Sequence, residues 1–185
     1  MNIAQEKANL RQRMKGLTCP DWTPMIEAFL ARPEVEQAGT VLLFYGVGRE
    51  PDTVPLIRQM IGLGKAVALP KCLPGHRMEA RQISDCSCLR PSAYGIPEPD
   101  EACPTVERER IDLILVPNLC CDRQGYRLGH GAGYYDRYLA GYTGVTVALC
   151  PEEWLQDAVP RDSFDLPVNL VLTQTRALRG ADAPR

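Results

Sequence analysis

The stretch Arg127–Asp136 combines an arginine, three glycines at alternate positions, two tyrosines and a carboxylate. Glycines at positions 129, 131 and 133 allow positive φ and close backbone approach. Successive N–H groups, together with the start of the following helical segment, can then surround a phosphate chain. Arg127 would neutralise phosphate charge with its planar guanidinium, and Asp136 would hold a magnesium ion that bridges the phosphates. The pattern indicates a site for the phosphate chain of a nucleotide.

The same residues also admit a structural interpretation. Glycine-rich loops are often only tight turns, and this one matches neither the dinucleotide fingerprint nor the Walker A loop. Asp136 could be a stabilising carboxylate at a helix N-terminus. Tyr134 and Tyr135 could belong to the core instead of stacking on a planar ligand.

A second group of candidate residues lies in the first predicted helix, Asn2 to Leu17. Lys7 and Arg11 are four residues apart, on one flank of its apolar stripe. Both cationic heads can therefore reach over the same edge while their stems pack. A solvated helix flank explains the pair equally well from the residues alone.

The elements that must position these residues alternate between strands and helices. Five short apolar, β-branched runs are typical of buried strands: Thr40–Tyr45, Ala66–Leu69, Ile111–Val116, Val145–Leu149 and Val168–Thr173. Predicted helices cover Trp22–Ala31, the residues after Thr53, and Tyr134–Leu139. This order predicts a three-layer α/β fold, with a mostly parallel central sheet and helices on both faces. A long loop, Asn118–Ala132, follows the third run, where open α/β sheets bind ligands. Met78–Ile83 is a candidate edge strand.

Composition narrows the class of protein. The 185 residues suit one domain, assigned to 1–178, with 179–185 as a frayed tail. A net charge of −2 gives no reason to expect nucleic-acid binding. The sequence holds no apolar run of membrane-spanning length and no signal peptide at its start, so we expect a cytoplasmic location and no membrane partner. The eight cysteines lack zinc-ligand spacing and are interpreted as small hydrophobic residues.

The run from Asp112 to Val116 and Pro117, followed by Cys121–Leu139, resembles the signature of the 5-formyltetrahydrofolate cyclo-ligase family. Other segments are similar to that family in the same order: Lys7 to Arg11, Tyr45 to Thr53, Gly64 to Pro70, and Tyr94 to Pro99. The resemblance spans about residues 4 to 175. It implies an ATP-dependent ligase of one-carbon metabolism that closes 5-formyltetrahydrofolate to 5,10-methenyltetrahydrofolate and releases ADP and phosphate.

The resemblance also implies roles for particular residues. Lys7 and Arg11 would contact the phosphates of ATP. The nucleotide would be wrapped by Arg127, Leu128, Gly129, His130, Gly131, Ala132, Gly133, Tyr134 and Tyr135. The reduced folate would meet Tyr45, Glu50, Tyr134 and Tyr135. The candidate catalytic residues are Arg127, Tyr134 and Asp136, with Asp136 on Mg²⁺. We expect a monomer.

One departure from the family concerns the metal. A second aspartate on the magnesium side is common in the final strand, and Asn169 stands at the position assigned to it. A neutral amide is a weaker ligand for a hard cation than a carboxylate. The hypothesis is that Asn169 still serves the metal site with reduced affinity. The alternative function is a folate- or nucleotide-binding paralogue with weak or no turnover.

Overall fold

The computed structural model describes residues 2–181 of the chain. Within them five α-helices form: α1 (Ile3–Lys15), α2 (Thr23–Leu30), α3 (Pro33–Gln37), α4 (Val54–Gly62) and α5 (Tyr134–Leu139). The side chain of Asn2 accepts a hydrogen bond from the N–H of Gln5 and so caps α1. Beyond the end of α4, Gly64 adopts a φ of 79°, a left-handed conformation that glycine tolerates and that directs the chain into the next strand.

Twelve strands occur in the same part of the chain. They are β1 (Thr40–Leu42), β2 (Ala66–Leu73), β3 (Arg77–Ile83), β4 (Leu89–Pro91), β5 (Pro97–Pro99), β6 (Thr105–Val106), β7 (Leu113–Leu115), β8 (Cys120–Cys121), β9 (Arg127–Leu128), β10 (Val145–Leu149), β11 (Leu170–Leu172) and β12 (Ala177–Arg179). Short 3-10 turns lie at Cys86–Cys88, Arg108–Arg110 and Glu152–Trp154.

Eight of these strands form one sheet in the order β12-β11-β10-β7-β1-β2-β3-β6. The five strands from β11 to β2 are parallel, whereas β12, β3 and β6 pair antiparallel. The carboxyl ends of the parallel strands therefore meet at one edge of the sheet. Two further pairs, β4 with β5 and β8 with β9, lie outside it.

Side chains of the parallel strands alternate between two apolar layers. Val41 and Leu43 face a core with Phe29 of α2 and Ile57 of α4, whereas Leu42 faces the other core. That second core contains Leu10 and Met14 of α1, Leu139 of α5 and Trp154. The parallel strands are thus covered on both sides, which is why their sequences are apolar runs without a polar face. The predicted three-layer α/β class is confirmed.

The structure departs from the predicted elements in four places. The Met78–Ile83 strand is covered by β6 and is not an edge. The Asn118–Ala132 loop contains the hairpin β8–β9, whose two-residue strands are too short to show periodicity. Helix α3 was not predicted. Arg179 and Gly180, assigned to the tail, join the sheet: Arg179 lies in β12 and the N–H of Gly180 donates to the carbonyl of Asn169. Residues 182–185 of that tail lie outside the described residues.

No helix in residues 2–181 has the length and apolar character needed to cross a membrane.

Candidate active site

A cavity of about 1200 Å³ opens at the carboxyl ends of β1, β2 and β7. Phe44 and Pro117, which follow β1 and β7, line it. The glycine loop, defined as Gly129–Gly133, forms one wall, and α1 forms the next. Two other walls come from segment 94–98 and from the acidic turn, defined as Asp162–Asp165. This is the edge of an open α/β sheet at which ligands bind.

The glycine loop is shaped by two residues with positive φ. Gly131 has a φ of 109° and Gly133 a φ of 72°, conformations that side chains rarely adopt. A Cβ atom on Gly131 would lie 3.2 Å from Cζ of Arg11. The Arg11 Nε also donates a 2.9 Å hydrogen bond to the carbonyl of Gly129. The guanidinium of Arg11 in α1 is therefore held against the glycine loop.

Arg127 and Asp136 form an ion pair across the cavity wall. The Arg127 Nη1 lies 2.8 Å from Oδ1 of Asp136, and the arginine side chain is only 4% exposed. Arg127 belongs to β9 and Asp136 to the first turn of α5, so the glycine loop between them brings the two together. The predicted phosphate ligand and the predicted metal ligand thus neutralise each other.

Lys7 makes the second cation–carboxylate contact of the cavity. Its Nζ lies 2.5 Å from Oδ2 of Asp165 and 3.2 Å from Oδ2 of Asp162. The same Asp165 oxygen accepts the N–H of Asp162 at 2.7 Å, which closes the acidic turn. Burial acts to lower the pKa of Lys7, but the two carboxylates outweigh it and raise the pKa above its usual range.

Glu50 connects the glycine loop to the segment after β1. Its Oε1 lies 3.2 Å from Nε2 of His130, and its Oε2 accepts the N–H of Val47 at 3.0 Å. The carboxylate is mostly buried, whereas the imidazole is largely exposed. Both oxygens of Glu50 therefore have partners within the protein.

The remaining wall is aromatic. The hydroxyls of Tyr94 and Tyr134 are 3.0 Å apart, and the ring of His76 meets that of Tyr134 edge to face. The hydrogen bond to Tyr94, with burial, raises the pKa of Tyr134 above its usual range. Tyr135 next to Tyr134 is half-buried, and its hydroxyl is buried with no hydrogen-bond partner among the described residues. Burial raises the pKa of Tyr135. A buried unpaired hydroxyl costs free energy unless a ligand satisfies it.

With one exception, the predicted site residues line this cavity: Lys7, Arg11, Tyr45, Glu50, Arg127, Leu128, Gly129, His130, Gly131, Ala132, Gly133, Tyr134, Tyr135 and Asp136. Leu128 lies behind the surface of this wall, because only 1% of the residue is exposed. Its carbonyl accepts the N–H of Leu119.

Asn169 is the exception, and its assignment to the metal site is corrected. It precedes β11, so it lies at the amino end of a parallel strand, whereas the cavity is at the carboxyl ends. Its Oδ1 accepts hydrogen bonds from the N–H and the hydroxyl of Thr146 at 2.7 and 2.9 Å. The amide joins neighbouring strands and is not brought to Asp136.

Sequence reasoning missed several cavity residues: Cys72, Met78, Tyr94, Glu98, Asp162 and Asp165. They come from segments distant from the glycine loop, and none belongs to a motif with a mechanism of its own. The segment Tyr94–Pro99 was noted only for its similarity to the family, which was a usable signal for Glu98. Asp165 stands four residues before Asn169, and nothing local distinguishes the two.

The donor set of the cavity suits a nucleotide-bound Mg²⁺. Asp136 and Asp165 both line it, and Mg²⁺ in such sites is held by one or two carboxylates together with phosphate oxygens. Among residues 2–181 no group of three or more His, Cys, Asp or Glu side chains forms a metal site without added ligands. A metal here would therefore depend on the nucleotide.

Comparison with known proteins gives one consistent result. Residues 4–174 match the 5-formyltetrahydrofolate cyclo-ligase family. The chain is 35% identical over 152 residues to a 5-formyltetrahydrofolate cyclo-ligase of Mycolicibacterium smegmatis, covering 75% of each protein. It is 30% identical over 177 residues to the Escherichia coli K12 protein of that name, covering 90% of this chain and 97% of that one. The solved structure of Aquifex aeolicus 5,10-methenyltetrahydrofolate synthetase superposes with a TM-score of 0.83 at 28% identity, covering 100% of this chain and 95% of that one.

Proposed function

The chain belongs to the 5-formyltetrahydrofolate cyclo-ligase family, and from that membership we propose that it closes 5-formyltetrahydrofolate to 5,10-methenyltetrahydrofolate while splitting ATP to ADP and phosphate. The observation that carries the proposal is one cavity with two kinds of wall. At about 1200 Å³ it exceeds the roughly 300–1000 Å³ of a typical small-molecule pocket. It therefore has room for a nucleotide and a folate side by side.

The basic wall suits the triphosphate. Lys7 and Arg11 project from one helix flank toward the glycine loop, and Arg127 lies behind it. Phosphate oxygens can replace the carboxylates that Lys7 and Arg127 now contact, because an arginine or lysine pairs equally well with either anion. The positive φ of Gly131 and Gly133 lets the backbone approach the phosphates without a Cβ clash.

Of the three carboxylates that phosphate would displace, Asp136 and Asp165 also suit Mg²⁺. Asp136 and Asp165 would hold the ion together with phosphate oxygens, and the ion would offset the negative charge of the transferring phosphoryl group. Ligand binding would then be an exchange of partners in which each cation moves to a phosphate, and Asp136 and Asp165 become available to the metal. This exchange leaves no buried charge without a partner.

The aromatic wall suits the folate. Tyr134 and Tyr135 offer ring faces and hydroxyls for a planar bicyclic ligand, and the Tyr135 hydroxyl needs a partner. Tyr45 and Glu50 lie between this wall and the glycine loop. The formyl group on N5 of the folate would then face the γ-phosphate.

The proposed reaction depends more on the positioning of its two substrates than on a nucleophilic side chain of the protein. The formyl oxygen attacks the γ-phosphorus and ADP leaves, which converts a poor electrophile into an iminium phosphate. The N10 lone pair then attacks the formyl carbon, the carbon–oxygen bond breaks with release of phosphate, and N10 loses its proton. Lys7, Arg11 and Arg127 stabilise charge during phosphoryl transfer. Enclosure by the tyrosines protects the activated formyl group from water.

A spectrophotometric assay tests the proposal. Purified protein with 5-formyltetrahydrofolate, ATP and magnesium should develop the near-ultraviolet absorbance of the methenyl product, in step with release of phosphate. Omission of ATP should abolish the signal. Absence of product in the complete mixture, with folate and ATP binding intact by calorimetry, would overturn the proposed turnover. The paralogue without turnover receives no support from Asn169, because that residue lies outside the cavity.

A further inference from the structure

Glu98 differs from the other acidic residues of the cavity. Five carboxylates line it: Glu50, Glu98, Asp136, Asp162 and Asp165. Asp136 pairs with Arg127, both aspartates of the acidic turn pair with Lys7, and Glu50 contacts His130. Glu98 forms no ion pair within the described part of the chain.

The surroundings of Glu98 hold its carboxylate in place but leave it without a cation. It lies in β5, and its Oε2 accepts the N–H of Cys72 at 3.2 Å. The Cys72 thiol also interacts with this carboxylate and with the Tyr134 hydroxyl. Burial, followed by the adjacent Glu98, raises the pKa of Cys72 to about 12, so the thiol keeps its proton. Met78, Ile96 and Pro97 line the cavity nearby.

A carboxylate in partly apolar surroundings needs strong donors, because desolvating it without them is costly. An anionic ligand such as triphosphate cannot supply them. A ligand with two parallel N–H groups can, because a carboxylate accepts such a pair in a bidentate arrangement. The 2-amino-4-oxo pyrimidine ring of a reduced pteridine presents this pair at N3–H and the 2-amino group.

From this arrangement we propose that Glu98 recognises the donor edge of the pteridine ring, with Tyr134 and Tyr94 at its side. This inference rests on the proposed function, since it names the part of the folate that meets one wall. It makes Glu98 a specificity residue for 2-amino-4-oxo pteridines. Glu50 is the competing carboxylate, but both of its oxygens already have partners in the protein.

A ligand-based double-mutant cycle tests the assignment. Affinities are measured by calorimetry for 5-formyltetrahydrofolate and for its 2-desamino-2-methyl analogue, which lacks the donor in question. The native protein should bind the analogue about 10- to 100-fold more weakly, as expected for a hydrogen bond to a charged group. The analogue penalty is the factor by which the analogue binds more weakly than 5-formyltetrahydrofolate. In Glu98→Gln this penalty should shrink to about threefold or less, since the charge of the carboxylate is gone. Affinity for ATP should be unchanged.

Two variants serve as controls. Glu101→Gln makes the same chemical change three residues away, on a side chain that is 88% exposed and outside the cavity, and should keep the full penalty. Glu50→Gln tests the competing carboxylate and should also keep the full analogue penalty. A penalty that persists in Glu98→Gln, or that disappears in Glu50→Gln instead, overturns the inference.

If Glu98→Gln does not fold, the analogue penalty measured on the native protein alone is a further check. A native penalty below about threefold would mean that no charged group accepts from the 2-amino position, which also overturns the inference. These results leave the proposed function standing, provided that 5-formyltetrahydrofolate itself binds and turns over. If it does not bind at all, both proposals fail together.

Discussion

Arg127 and Asp136 face each other at 2.8 Å, one from a strand and one from a helix, with the whole glycine loop between them in sequence. In the proposed function, a phosphate on Arg127 and a metal on Asp136 would each displace a protein partner to bind. The energetics of ligand binding are therefore coupled to the stability of this wall.

Replacing Asp136 by asparagine tests that coupling. Arg127 would lose its anionic partner while only 4% exposed, so the free energy of unfolding without nucleotide should fall by about 1–2 kcal/mol. A bound phosphate would replace the missing charge. ADP in the presence of a chelator should therefore stabilise the variant against thermal unfolding more than it stabilises the native protein. Asp157→Asn, on an exposed side chain outside the cavity, should show neither effect. Equal stabilisation of both proteins by ADP would contradict the exchange of partners.

The second carboxylate of the metal site is expected to be Asp165. Asp165→Asn should raise the magnesium concentration for half-maximal rate by roughly tenfold, since a neutral amide is a poorer ligand for a hard cation. Asn169→Asp should leave that concentration unchanged, because its side chain accepts hydrogen bonds from Thr146 at the far end of the strand. A lowered magnesium requirement in Asn169→Asp would return that residue to the site. Initial rates over a magnesium titration distinguish the two outcomes.

Tyr135 and Tyr138 form a matched pair, because each has a buried hydroxyl without a partner among the described residues. Changing either to phenylalanine removes an unsatisfied polar group and should raise the free energy of unfolding by up to about 1 kcal/mol. Only Tyr135 lines the cavity. Tyr135→Phe should therefore also weaken folate binding by about tenfold, whereas Tyr138→Phe should not. Urea unfolding and folate titration give the two readouts, and equal folate affinities would exclude a ligand contact by the Tyr135 hydroxyl.

Glu152 supplies a prediction about pH. Hydrogen bonds from Arg176, then from Thr173 and Thr175, lower its pKa to about 2 from the usual 4.5. A lowered pKa in the folded state means that the contribution to stability is present above pH 4.5 and is lost as the pH falls toward 2. After allowance for solvent, Glu152→Gln should lower the free energy of unfolding by about 1 kcal/mol at pH 6 and by little at pH 2.

The neighbour Glu153 is the control for that experiment, since its carboxylate accepts a hydrogen bond from the neutral amide of Gln174 and forms no ion pair within residues 2–181. Glu153→Gln should follow the pH dependence of the native protein. Urea unfolding at pH 2, 4 and 6 measures all three proteins. A loss of stability in Glu152→Gln that is the same at every pH would rule out titration of this carboxylate as the cause.

Most of the fold, but only part of the candidate site, could be predicted from the sequence. Runs such as Val145–Leu149 are covered on both faces, so their apolar character alone predicts them, and α5 was predicted with its observed limits. The hairpin β8–β9 and the five residues of α3 are shorter than any hydrophobic period. Glycine spacing and charge indicated the glycine loop and its flanking Arg127 and Asp136 as a candidate phosphate site, because these residues are close in sequence.

The opposite walls could not be found that way. Glu98 and Asp165 reach the cavity through β5 and the acidic turn, and their roles depend on which side chains the fold brings beside them. The error at Asn169 has the same origin. Four residues separate Asp165, which lines the cavity, from Asn169 at the amino end of β11, and no local pattern records that difference in position.

The contact between Lys7 and Asp165 joins residues 158 positions apart. During synthesis on the ribosome, Lys7 emerges early and has no carboxylate of the acidic turn to contact until residues 162–165 have been translated. Because so long a loop must close before the contact forms, we expect the junction between α1 and the acidic turn to be assembled late. Nascent chains that stall before residue 162 should consequently leave the Lys7 ammonium group without these two carboxylate partners.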